Sequence, residues 1–268
     1  MSPADLATLA AFLKAGSGLI ISSDKSYLVE SRLASVADLI GRLKIFPPEN
    51  LKRDVLEAMT TNETSFFRDG TPFEALRTKI LPSLIKSRQT SRRIHILCAA
   101  ASTGQEPYSI ALLLQEFQQA LQGWTLDIVA TDIDTAVLAR AQKGVYSKFE
   151  VQRGLPVTHL VKNFDQLSDD AWQIKPAVRN LVSFRQTNLL QDQPTWGTFD
   201  VIFCWNVLIY FDPATKSAML GRLANHLADD GVLFLGGAET VIGITEKFIL
   251  SPGMRGTYMK AAARALAA

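Results

Sequence analysis

The chain has 268 residues, with 28 Lys plus Arg against 26 Asp plus Glu and a net charge of +2. That near balance excludes a large nucleic-acid-coating surface, which needs a clustered basic excess. At about 150 residues per domain the length fits one or two domains, long enough for a core without metal or disulfide staples. No stretch approaches the ~18 consecutive apolar residues of a membrane span, so no membrane insertion is expected. The opening Met1-Ser2-Pro3-Ala4-Asp5 has no basic region before an apolar one. No signal peptide is therefore read, a cytoplasmic protein is expected, and Cys98 and Cys204, both in apolar runs, are expected as free thiols.

The first ~60 residues read as helices. Leu6, Leu9, Ala10 and Leu13 carry a helical spacing over Ala4 to Leu13. Leu28, Leu33, Val36, Leu39, Ile40 and Leu43 carry another over Tyr27 to Leu43. Pro47-Pro48 interrupts the pattern, and Leu51 to Met59 resumes it. A helical domain over residues 1–80 is expected.

After a polar, basic linker at Ser87 to Arg93 the pattern changes. Ile94 to Ala100 is strand-like, ends in small residues and a glycine, and enters a helix at about Pro107. Leu126 to Asp132 is a second strand, followed by a helix from Thr135 to Gln142. Phe199 to Cys204 and Gly231 to Leu235 are further strands, separated by a helix from Pro213 to Leu227. Such alternation predicts an α/β domain with a mostly parallel sheet over residues 81–268. The stretch Val145 to Ser183, with Pro156 and Pro176, fits less well and reads as an inserted subdomain.

Four segments are candidates for chemistry. Ala99 to Ser109 follows the first strand, where small residues and Gly104 let a backbone approach a ligand. It matches neither GxGxxG nor GxxxxGK[ST], so a nicotinamide site is poorly supported and a P-loop is excluded. Asp132 ends the second strand, where an acid commonly holds ribose hydroxyls; Asp134 competes as the helix cap. Asn62-Glu63-Thr64-Ser65-Phe66-Phe67-Arg68-Asp69 sets two aromatics beside an arginine, or is an ordinary helix start capped by Thr61 or Asn62. Trp205 to Asp212 follows a strand directly and places Asn206 and Tyr210 at the ligand-binding end of the sheet, or packs aromatics into the core. His95, His159 and His226 are scattered without zinc-ligand spacing, so no metal is expected. There is no CxxC pair and no G-x-S-x-G elbow.

Taken together, five segments resemble the chemotaxis receptor methyltransferases of the CheR family. They are Thr60 to Asp69, Ala100 to Ser109, Ala130 to Asp134, Asn188-Leu189-Leu190 and Phe203 to Asp212. The match runs in order from Tyr27 to Tyr258. It implies a Rossmann-like S-adenosylmethionine-dependent methyltransferase sheet, a small N-terminal helical domain and an inserted small β-subdomain. The implied reaction esterifies glutamate side chains of chemoreceptor cytoplasmic domains and leaves S-adenosylhomocysteine. The implied cofactor residues are Asn62, Thr64, Arg68, Ala100, Glu106, Asp132, Asn188, Leu189, Trp205 and Asn206, with Glu106 near the methionine amino group and Asp132 at the ribose. Arg68 and Tyr210 match the pair near the methyl-transfer centre.

A carboxylate nucleophile titrating near ~4.3 is already ionised at pH 7 and needs no general base. The absence of a catalytic His or Cys is therefore no obstacle. Trp205 stands where the family usually has Arg, so a polar contact is expected to be lost there or replaced by stacking. Gln105 stands where Glu is common. Residues 1–58 hold seven basic and seven acidic residues, and Arg32, Arg42 and Lys44 alone suggest the family's basic receptor-facing helix. The stretch Asn163 to Trp172 lacks the Gly-x-Gly loop of members that bind a receptor's C-terminal pentapeptide, so no pentapeptide binding is expected. Two other readings remain: a methyltransferase for another substrate, and a non-enzymatic cofactor-binding sensor. A nicotinamide-dependent oxidoreductase is a distant fourth, lacking the glycine fingerprint.

Overall fold

The computed structural model describes residues 1–33, 36–43 and 47–261. Its strands are β1 (Arg93–Ala99), β2 (Thr125–Asp132), β3 (Val145–Ser147), β4 (Phe164–Ser168), β5 (Ala171–Ile174), β6 (Val182–Gln186), β7 (Phe199–Cys204), β8 (Leu227–Leu235), β9 (Phe248–Leu250) and β10 (Thr257–Lys260). Seven of them form one sheet in the order β6-β2-β1-β7-β8-β10-β9. The pairs from β6 to β8 are parallel, and β10 runs antiparallel to both of its neighbours. In β7 every residue is buried, and in β1 every residue after Arg93. Continuous apolar runs rather than alternation are what a parallel sheet covered on both faces requires. Ile94, Ile96 and Cys98 pack on one face, Leu97 and Ala99 on the other. Cys204 lies on the face opposite Cys98, and both thiols are free.

Among the described residues, the α-helices Pro3–Ser17, Ser26–Arg32, Val36–Leu43 and Glu49–Met59 form an N-terminal group. They share their own apolar core of Leu9, Leu13, Val29, Leu33, Leu51, Val55 and Met59. The first is punctuated at both ends: Ser2 accepts from the Asp5 amide, Pro3 occupies the first turn, and Gly18 ends the helix at φ 76°. The single helix expected from Tyr27 to Leu43 is two. The first ends at Leu33, which turns extended at φ −116°, and the apolar spacing continues across the break, so periodicity could not show it. Arg32 donates instead to the carbonyls of Met59 and Thr60, 3.1 and 2.8 Å away, at the end of the fourth helix. That guanidinium satisfies orphan carbonyls and is engaged within the domain. Lys44 lies outside the described residues.

No helix starts at Thr61 or Asn62. Residues 60–65 are irregular, a turn follows, and the next helix is Thr71–Ala75, continued by a π-helical turn Leu76–Ile80 and the helix Leu81–Ser87. Phe73, Leu76, Ile80, Leu81 and Leu84 join the core of the sheet, so the packing of this helical run extends across residue 80. The basic linker is also anchored, because Arg88 donates to Asp200 at 2.7 Å and to Asp230 at 2.5 Å.

The insertion contains a three-stranded antiparallel sheet, β3-β5-β4, with helices Lys148–Gln152, Val157–Asn163 and Pro176–Arg179. Its β4–β5 turn is short, Asp169 and Asp170 standing between the paired Ser168 and Ala171. The chain returns to the main sheet at β6, whose first two residues, Val182 and Ser183, fall inside the stretch expected to be insertion. Strands β9 and β10 carried no recognised signal.

Candidate active site

In chain order the sheet grows outward from β1 through β2 to β6, then resumes on the other side of β1 at β7. A crevice opens at the carboxyl ends of the strands at such a reversal. Here it is a cavity of about 240 Å³, somewhat below the ~300–1,000 Å³ typical of ligand sites. Every expected site residue lines it: Asn62, Thr64, Arg68, Ala100, Glu106, Asp132, Asn188, Leu189, Trp205, Asn206 and Tyr210.

The loop after β1 forms the floor. Ala100 and Ser102 adopt φ of 62° and 50°, unusual for residues with a Cβ. The loop is held by Ala101 N–H donating to Thr131 C=O at 2.7 Å and Ser102 N–H donating to Asp132 Oδ2 at 2.8 Å. Gly104 lies at φ 94°, and a Cβ there would stand 2.9 Å from Ala141 Cβ and 3.0 Å from the Tyr146 hydroxyl. Only glycine combines that conformation with that closeness. Gln105 accepts from Thr103 Oγ1 and donates to Glu150 Oε1. A glutamate in its place would face Glu150 without a proton to donate, which accounts for the amide here.

Asp132 is buried, and its two oxygens accept from the Ser102 and Asp134 amides. Burial raises its pKa while those amides pull it back down. Asp134 is the helix cap: Oδ1 accepts from Ala136 and Val137 N–H, while Asn62 Nδ2 donates to Oδ2 at 2.9 Å. Asn62 C=O accepts from Ser102 Oγ at 3.0 Å. Residues 60–69 thus form a strap fastened across the loop and carrying Arg68 into the cavity. Arg68 donates to Glu63 C=O at 2.7 Å, and Glu63 pairs with Arg153 of the insertion at 2.9 Å. Gly154 brings the insertion so close that a Cβ would meet the Phe66 carbonyl oxygen.

The far wall follows β6 and β7. The Asn188 amide donates to Gly16 C=O at 2.7 Å, and Ile20 N–H donates to Tyr210 C=O at 3.1 Å. Those two bonds seat the end of the first helix against the cavity, where Ser17 and Leu19 also line it. Trp205 keeps a polar contact where its loss was expected, since Nε1–H donates to Asp69 Oδ2 at 2.9 Å. Asn206 is left-handed at φ 60°, and its N–H donates to Glu239 Oε2 at 2.9 Å. No expected motif contained Glu239, although Gly236-Gly237 just after a strand is the same small-residue signal as the loop after β1.

Glu106 carries the cavity's most perturbed carboxyl. Burial is the main cause of a pKa pushed up to about 8, offset in part by the Cys98 thiol. Its Oε1 is buried without a hydrogen-bond partner among the described residues. An unpartnered acid oxygen on a cavity wall marks where a cationic donor fits.

These features define an α/β protein with a cavity at its sheet's switch point, lined by the acids Glu106 and Asp132, which suit a ligand carrying hydroxyls and a cation. The family model described as "CheR methyltransferase, SAM binding domain" matches residues 62–257. The chain is 38% identical over 258 residues to chemotaxis protein methyltransferase Cher2 of Pseudomonas putida, covering 91% of this chain and 94% of that protein. It is 38% identical over 266 residues to chemotaxis protein methyltransferase 1 of Pseudomonas aeruginosa, covering 94% and 96%. It is also 40% identical over 248 residues to a Vibrio parahaemolyticus chemotaxis protein methyltransferase, covering 88% and 89%. The chain belongs to the CheR methyltransferase family, and its cofactor is S-adenosylmethionine. The donor set fits that group: the free Glu106 Oε1 for its ammonium, Asp132 for ribose hydroxyls, and small residues at Ala100 and Ala101 where the backbone borders the cavity.

Proposed function

We propose that this enzyme methyl-esterifies glutamate side chains on the cytoplasmic domains of chemoreceptors, leaving S-adenosylhomocysteine. The observation that carries the reading is Arg68. It is the one Lys or Arg among the described residues lining the cavity, and it shares that cavity with Glu106, Asp132 and Tyr210. A cation in a cavity whose other charged side chains are the acids Glu63, Glu106 and Asp132 has a use if the substrate is a carboxylate.

When bound, the cofactor supplies a methyl group activated by its sulfonium. The protein's task is then orientation. Arg68 holds the substrate carboxylate by charge-assisted hydrogen bonds, and Tyr210 fixes its angle. Glu106 and Asp132 anchor the cofactor, and Asn62 keeps the strap closed. Exclusion of water by the strap and the first helix favours a reaction that neutralises two opposite charges. Alignment of this kind contributes up to ~7–11 kcal/mol in favourable cases.

The β4–β5 turn is two acidic residues, Asp169 and Asp170, which repel a peptide's terminal carboxylate. We therefore propose recognition of the receptor body rather than of a C-terminal pentapeptide. No helix among the described residues is long and apolar enough to cross a membrane. The charge balance favours neither nucleic acid nor an anionic bilayer, and a cytoplasmic location completes the reading.

The test is transfer of tritiated methyl from S-adenosylmethionine to receptor cytoplasmic fragments, scored as methanol released by base. Base-labile signal that vanishes in Arg68→Ala is expected. Base-stable label would move the reaction to nitrogen or an ether oxygen, and absent label with intact cofactor binding would move the substrate elsewhere.

A further inference from the structure

Glu239 does not line the cavity, yet it holds two residues of a segment that does, Asn206 and Ile209. It is 8% exposed, and its hydrogen-bond partners are backbone amides rather than a cation. Oε2 accepts from Asn206 N–H at 2.9 Å and from Gly236 N–H at 2.6 Å, and Oε1 accepts from Ile209 N–H at 3.3 Å. Three amide bonds on one carboxylate are what makes its burial tolerable.

Each partner has a consequence at the cavity. Asn206 stands at φ 60°, a left-handed conformation that Asn takes more readily than other residues with a Cβ, and the bond to its amide fixes it there. Ile209 sits in the 3₁₀ turn Leu208–Tyr210, so the bond to its amide fixes the turn that presents Tyr210. Gly236 directly follows β8, and a Cβ there would stand 2.5 Å from Asn206 Oδ1 and 2.8 Å from Glu239 Oε2. The ends of β7 and β8 therefore close on one another through this carboxylate, with glycine making the approach possible.

We infer that Glu239 is a positioning residue for methyl transfer: its carboxylate sets the backbone of Asn206 and of the turn bearing Tyr210. The inference rests on the reading of Tyr210 as the methyl-transfer tyrosine. Glu239 touches neither substrate nor cofactor and acts through the two residues it holds.

The experiment is a kinetic double-mutant cycle on the full chain with receptor fragments. Glu239→Gln keeps the side chain's size and removes its charge. Its kcat is expected to fall on the order of 100-fold, as for a slight misplacement of a reacting group, with KM for the receptor fragment unchanged. In a Tyr210→Phe background the same substitution is expected to lower kcat less than ~10-fold, because residues acting as a unit are not additive. Glu239→Asp, which keeps the charge, should recover part of the rate. A Glu239→Gln enzyme that melts earlier but turns over normally overturns the inference, as do effects that multiply. Should Glu239→Gln fail to fold, Gly236→Ala probes the same junction, with multiplicative effects again overturning it. Normal turnover by Tyr210→Phe alone would sink the Tyr210 reading instead. The cycle with Asn206→Ala, read as S-adenosylhomocysteine affinity by calorimetry, then decides for Glu239 by coupling or against it by independence.

Discussion

The strand-end wall of the cavity and the strap that faces it are held by different kinds of bond. The strand-end wall is backbone against carboxylate: Asp132 takes the Ser102 and Asp134 amides, and Glu239 takes those of Gly236, Asn206 and Ile209. The strap is held by side chains from elsewhere in the chain. Asn62 donates to Asp134, Ser102 donates to the Asn62 carbonyl, Arg153 pairs with Glu63, and Trp205 donates to Asp69. The first wall is built into the sheet and should be preorganised. The second depends on several separate contacts and is the one that must admit a substrate.

The largest expected effect falls where the walls meet. Arg68→Ala combined with Tyr210→Phe should lower methyl transfer by ~100-fold or more, the scale of lost alignment, while S-adenosylhomocysteine affinity by calorimetry falls far less, Glu106 and Asp132 remaining in place. Transfer at the normal rate would remove both residues from the centre and leave the strap a mere cover.

Next comes Glu106 on the strand-end wall. Glu106→Gln removes a charge-assisted bond worth roughly 1.5–3 kcal/mol, so cofactor affinity should drop about 10- to 150-fold. The pH dependence has a definite sign. Without cofactor the carboxyl titrates at about 8, so it is mostly protonated at pH 7. A bound cation favours the ionised form, so binding should expel close to one proton per site at pH 7. Affinity should rise with pH toward about 8, above which loss of the ligand's own ammonium proton takes the gain back. Calorimetry in buffers of different ionisation enthalpy measures that proton, which should disappear in Glu106→Gln. The same shift works against the ligand-free fold. A folded pKa above the unfolded value of 4.5 means the native state binds more protons, so this group's contribution to stability is lost as pH rises from 4.5 to 8.

Gly104→Ala tests the rigidity of the strand-end wall itself. Its φ of 94° and the 2.9 Å approach to Ala141 predict a loss of about 1–3 kcal/mol, read as an earlier thermal or denaturant midpoint. If the loop relaxes without cost, that wall is softer than its hydrogen bonds imply.

The two walls also differ in how far a reader of the amino-acid order can go. Ala100 to Gly104, Glu106 and Asp132 lie within or just beyond strands whose apolar runs are plain, so their place at the sheet's carboxyl end follows from local pattern. The strap is visible as a motif but not as a structure, because its fastening depends on partners such as Asp134, 72 residues from Asn62. Glu239 escaped for the same reason, standing 33 residues from Asn206 and 30 from Ile209. Among the elements, β9 and β10 escaped because three- and four-residue strands are too short to show a period. The break after Arg32 escaped because the apolar spacing runs on through it, and the carbonyls that Arg32 reaches, at the end of another helix, are 27 and 28 residues away.

The smallest expected effect concerns Trp205, where this chain departs from its family. The indole N–H reaches Asp69 on the strap, so the residue does by a neutral donor what the guanidinium usual in the family can do by a charged one. Trp205→Phe keeps the ring and deletes that donor. A neutral hydrogen bond contributes about 0.5–1.5 kcal/mol net, so kcat should fall by less than roughly tenfold, with any change in cofactor affinity smaller still. Trp205→Arg restores a donor toward Asp69 and should stay nearer the unsubstituted enzyme than Trp205→Phe does. If Arg proves worse than Phe, the ring's packing against the core rather than its bond to Asp69 is what the strap needs, and the strap is then held at this end by contact area instead of by a polar latch.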